Sequence, residues 1–197
     1  MKEKIMALKN KKYSRKILSK QIKKGKSKYH IVISYNGDCD EELFGNLASI
    51  PDPDIKFGYR ILHKIASILF IVLTIIVILG NLMSILEIEN VTGKVIIENG
   101  ISILLFVYFM VMILKFHGLF FFGGAVLLGL DIVFALPELI TIFEKKLFSI
   151  DDIVVLILLG LSLVEIILLI IIKNNVFSYI SYKGYNRDKN EEIIFQR

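Results

Sequence analysis

Two carboxylates lie in runs that are otherwise apolar: Asp131 within residues 118–136 and Glu165 within 153–172. An ionised carboxylate in hydrocarbon costs roughly 2.5–3.5 kcal/mol even on lenient insertion scales, so such residues face the protein interior or water. Two chemistries follow. Lining a path, the pair would relay protons or cations. Neutral or hydrogen-bonded, it would hold the helices or an oligomer together.

Helical rise gives the depths. Asp131 is 13 residues past Gly118, ~20 Å from the inner surface. Glu165 is seven residues before Ile172, ~10 Å from the same surface. An offset of ~10 Å keeps the two from sharing a proton directly. Asn81 falls near the level of Asp131 and Tyr108 near that of Glu165. The expected polar contacts are therefore Asn81 with Asp131, and Tyr108 with Glu165. Gly124, Asp131 and Glu138 recur every seven residues, with Ala135 one turn beyond Asp131. Gly80 and Ser84 make a second pair of small residues. Small side chains let helices approach closely, so Gly80, Ser84, Gly124 and Ala135 are expected at packing faces.

Four elements must carry these groups. The apolar runs, about 65–86, 100–116, 118–137 and 152–172, approach or exceed the ~20 residues that cross a bilayer. Read as one helix, 101–136 would be ~54 Å long against a ~30 Å hydrocarbon core. It would also bury Lys115 and His117, so a tight hairpin turning at those residues is expected instead. Four spans with an internal N-terminus leave only Lys94, Lys145 and Lys146 of the 24 basic residues outside, as the positive-inside rule requires. The expected class is an all-α membrane protein, a four-helix transmembrane bundle in the cell membrane with both termini cytoplasmic. Residues 1–58 form a basic cytoplasmic segment, 59–173 the membrane domain and 174–197 a tail.

The segment before the membrane reads as a small α/β element. Ile31, Ile33 and Tyr35 alternate, predicting a strand over 29–35, and Asn36-Gly37-Asp38 is a turn signal. Asp40 is placed to cap a helix running to about Ala48, and Pro51 and Pro53 end it. In the tail, 176–182 and 191–196 could form a hairpin about 186–190 and pair with the N-terminal strand.

Residues 1–30 hold twelve lysines and arginines against Glu3 alone. Topology and anionic lipid headgroups, worth ~1 kcal/mol per basic residue, are the expected reason. Lys11, Lys12, Arg15, Lys16, Lys20, Lys23 and Lys24 are the residues expected to face lipid. Lysine runs without a fold to present them do not argue for nucleic acid. No apolar core of a secretory signal occurs in this stretch, so an uncleaved first span is expected.

Other chemistry finds little support. The single cysteine, Cys39, excludes an intrachain disulfide and a thiol metal cluster. Asp38, Asp40, Glu41 and Glu42 depart from a calcium loop, with Leu43 at the glycine position and Ser49 at the bidentate position. His30, His63 and His117 lack zinc-ligand spacing. No nucleophile elbow, phosphate loop or H-E-x-x-H is present. No cofactor, metal or catalytic residue is expected. Two functions remain. One is a membrane-anchored interaction or regulatory protein acting as a homo-oligomer or with a partner. The other is an oligomeric channel or transport component that uses the intramembrane carboxylates.

Overall fold

The computed structural model describes residues 14–34, 41–87, 93–145, 148–178, 180–181 and 184–185. Four short helices come first: α1 (Arg15–Lys23), α2 (Lys28–Ser34), α3 (Glu41–Ala48) and α4 (Pro53–Gly58). Four long ones follow: α5 (Arg60–Glu87), α6 (Gly93–Leu114), α7 (Gly118–Glu144) and α8 (Ile150–Val176). All four are long and apolar enough to cross a membrane. The chain is a multi-pass membrane protein.

The long helices overrun the apolar segments that mark them. A run of apolar residues reports the hydrocarbon, whereas intrahelical hydrogen bonds continue into the interface, carrying charged residues such as Lys94 and Glu98. Pro137 does not end α7, which continues to Glu144, and the Thr141 hydroxyl donates to the Pro137 carbonyl at 3.0 Å. Proline removes the donor to the carbonyl four residues back, that of Val133, and transmembrane helices tolerate such a freed group. At the start of α8 a reciprocal cap forms. The Ser149 N–H donates to the Asp152 carboxylate and the Asp152 N–H donates to the Ser149 hydroxyl, at 2.8 and 3.1 Å, and Lys145 pairs with Asp152 at 2.6 Å. Serine followed three residues later by an acid is a sequence signature of a helix start.

The hairpin between α6 and α7 turns on Phe116, which adopts a left-handed φ of 53°. That conformation costs a non-glycine residue about 1 kcal/mol or more. The buried Phe116 ring is held by His63 and Phe121, with centroids 4.0 and 5.6 Å away. His63 also ties α5 to the end of α6. Its Nε2 lies 2.8 Å from the Ile113 carbonyl, which can only accept, so Nε2 carries the proton.

The chain divides into two compact units. The larger, residues 61–116 and 120–172, is the bundle. Its tight core lies at the end bearing Phe116. Gly124 is buried where an added Cβ would be 3.1 Å from Ile113 and 3.3 Å from Leu169. Phe70, Phe106, Phe121 and Leu128 fill the same region. Towards the other end of α5 the packing opens. Gly80 and Ser84 are exposed, and nothing lies within 4 Å of a Cβ at Gly80.

The smaller unit gathers residues 1–60, 117–119 and 173–197. Among its described residues it is nearly all helical, which corrects the expected α/β element. Residues 28–34 are helix, not strand: Ile31 is fully buried while Ile33 is 54% exposed, whereas a strand would set both on one face. Ser27 starts this helix, its hydroxyl accepting the His30 N–H at 3.2 Å. Two-residue strands β1 (Ile180–Ser181) and β2 (Gly184–Tyr185) pair antiparallel, earlier in the chain than the expected hairpin. The second strand expected at 191–196 and the Asp40 cap lie outside the described residues. α3 stops at Ala48, before the two prolines, and α4 then begins at Pro53, since proline is favoured in a first helical turn.

Candidate functional site

The carboxylates occupy contrasting environments within the bundle. Gly124 against Leu169 sets the antiparallel register of α7 and α8. Seven residues beyond Gly124 is Asp131, and seven before Leu169 is Ser162, so the two lie at one level. Both line a cavity of about 190 Å³ walled by α5, α7 and α8. Asp131 is exposed. Glu165, one turn along α8 from Ser162, is 0% exposed. Neither of its carboxyl oxygens has a hydrogen-bond partner among the described residues. By this register the two carboxyls differ in height by roughly one turn, ~5 Å, half the separation that counting from the helix ends suggested.

The expected polar pairs do not form. The Asn81 amide instead donates to the Val77 carbonyl of its own helix at 2.7 Å. Tyr108 is 49% exposed, with its ring edge-on to Phe120 at 5.2 Å. Counting residues fixes depth, but rotation about each helix axis decides which side chains meet. Of the small residues, Gly124 is buried and Ala135 lines the cavity. Gly80 and Ser84 are exposed and form no packing face among the described residues.

The second cluster of functional groups is cationic and belongs to the smaller unit. α1 buries Leu18 and Ile22, one turn apart, and leaves Lys16, Lys20, Lys23 and Lys24 exposed. Lys11 and Lys12 lie outside the described residues. Arg15, expected among the lipid-facing residues, is partly buried. Its Nε and a terminal nitrogen donate to the Ser49 hydroxyl and carbonyl at 3.2 and 3.3 Å. The same carbonyl accepts the Gly118 N–H at 3.3 Å, and the Phe177 ring fills the space a Cβ on Gly118 would need.

Positive charges converge here. The Lys56 ammonium is held below the usual lysine value by partial burial and then by repulsion from Lys23, Arg15 and Arg60. Lys28 is 5% exposed and pairs with Asp52 at 3.3 Å. Burial lowers its pKa, against the charge and hydrogen bond of Asp52, which raise it. None of these convergences is legible in sequence, because Lys28, Ser49 and Asp52 sit in segments without periodic pattern.

His117 is pushed down to about 4 from 6.5, first by burial and then by the Arg15 charge. The unfolded chain therefore binds this proton more readily, and His117 makes stability fall as pH drops from 6.5 towards 4. Below that it adds no further loss. We expect the His117 ring to titrate near 4 by NMR, and His117→Gln to flatten the stability profile between 6.5 and 4. A His117 midpoint near 6.5 would contradict the described packing.

Comparisons with protein-family models, with curated proteins and with solved structures find no match for this chain.

Proposed function

We propose that this is a membrane-anchored interaction protein whose cationic helical unit engages phosphate-bearing lipid headgroups on the cytoplasmic face of the cell membrane. One observation carries the reading: Lys23 and Arg15 of α1 and Arg60 of α5 lie close enough to Lys56 of α4 for their positive charges to act on its ammonium. Like charges held together by a fold are stabilised by a bound anion. The positive-inside asymmetry supports the same reading, since it favours this unit beside the leaflet that carries anionic lipid. Exposed Lys16, Lys20 and Lys24 extend the cationic surface.

The test is lipid retention by the full chain in mild detergent, read by native mass spectrometry. Phosphatidic acid is retained over phosphatidylcholine. At ~1 kcal/mol per basic residue, Lys23→Gln with Lys56→Gln weakens retention by roughly thirtyfold. Equal retention of both lipids, or an unaffected double variant, would count against the reading.

The transport reading takes second place. It rests on Glu165 being buried with no hydrogen-bond partner among the described residues, one turn from a cavity that Asp131 lines. Among the described residues lining that cavity, Asp131 and Ser162 are the only polar side chains, which is few for a polar path within one chain. Flux on this reading needs a second copy.

A further inference from the structure

We propose that the cavity between α5, α7 and α8 is a binding site for a lipophilic organic cation, with Asp131 as its counter-ion. This site belongs to the bundle and shares no residue with the headgroup site of the smaller unit. Its walls are apolar, among them Leu73, Val77, Leu128, Ala135 and Leu158. Its polar groups are the Asp131 carboxylate and, level with it on α8, the Ser162 hydroxyl.

The shape and the charge select the same ligand. A cavity of about 190 Å³ exceeds the ~150 Å³ apolar cavity that holds benzene in an engineered protein. An aryl or branched-alkyl body therefore fits. A neutral apolar molecule would leave the exposed carboxylate without compensation at membrane depth, where an unpaired charge is costly. An anion would add repulsion. A monocation with an apolar body satisfies both requirements, and low surrounding polarity strengthens its attraction to the carboxylate. The surroundings favour entry from the open end of the bundle. The buried core of α5 ends at Thr74, while Leu79, Leu82 and Met83 are exposed, and Gly80 leaves open space beside its helix. Towards the tight end, the cavity stops at Leu73 and Leu128.

Benzyltrimethylammonium is the probe, because its charge does not depend on pH. Its neutral isostere is neopentylbenzene. Binding to the full chain in maltoside micelles is measured by equilibrium dialysis. We expect saturable binding of the cation, weakened about tenfold or more by Asp131→Asn, as loss of a charge-assisted contact implies. Ala135→Phe, which fills the cavity and leaves Asp131 in place, abolishes binding. The isostere shows no preference for wild type over Asp131→Asn. Undiminished cation binding by Asp131→Asn, equal affinity for the neutral isostere, or no saturable binding would overturn the proposal. If Ala135→Phe does not fold, the near-isosteric Asp131→Asn comparison decides alone.

Discussion

Asp52→Ala lowers the unfolding free energy by about 3 kcal/mol, the low end of what removing one partner of a buried ion pair costs. The lower end applies because the Asp52 side chain is 31% exposed, while that of Lys28 is only 4% exposed. Truncation leaves the buried Lys28 ammonium without the carboxylate that offsets its desolvation. Adding Lys28→Met restores most of the loss, since replacing both charges by apolar groups is often neutral. The pH dependence has a definite sign. Burial holds the folded pKa of Lys28 below 10.5, so between that folded value and 10.5 the unfolded chain binds more protons and stability rises with pH. In Asp52→Ala the folded value drops further, the window widens and the variant recovers stability as the solution becomes alkaline. Chemical denaturation of the detergent-solubilised chain at two pH values measures this. A variant as stable as wild type at neutral pH would show that the pair carries no net energy.

Glu165→Met should act in the opposite direction, raising stability by about 1–3 kcal/mol. A buried polar group with no hydrogen-bond partner carries its full desolvation penalty. Methionine has a similar unbranched reach and adapts to irregular space. Thermal unfolding reads the gain directly. Loss of stability instead would mean that the carboxyl contributes to the fold. The same variant separates the two functional readings. Unchanged headgroup retention together with abolished ion flux in proteoliposomes would establish transport, a case of activity kept at the expense of stability. Unchanged retention in vesicles that are ion-tight for both proteins would support the interaction reading.

The membrane architecture was legible because lipid imposes a coarse rule. A span must satisfy its own backbone hydrogen bonds and be apolar for ~20 residues, and charge then fixes where it stops. Lys115 and His117 marked the hairpin for that reason. Within the spans, counting residues from the helix ends overstated the height difference between the carboxyls and did not identify their neighbours. Asn81 found a carbonyl on its own helix and Tyr108 found aromatic rings. The level shared by Asp131 and Ser162 depends on how closely Gly124 admits Leu169, a tertiary contact.

The cationic unit was least legible. Over seven residues, period two and a single buried helical position look alike, so Ile31 and Ile33 suggested a strand. The Ser27 cap three residues before His30 was the discriminating signal. Ser49 and Asp52, beside the prolines, read as a linker. The fold uses them to hold Arg15 and Lys28.

Headgroup recognition on the cytoplasmic face requires four spans with both termini on that face. The most direct measurement is side-specific labelling by an impermeant maleimide. Native Cys39, the sole cysteine, reports the N-terminal segment. Lys94→Cys in a Cys39→Ser background reports the N-terminal end of α6. The account predicts that Cys39 reacts only in inside-out vesicles and the cysteine introduced at position 94 only in right-side-out vesicles. Reaction of both from one face would contradict it.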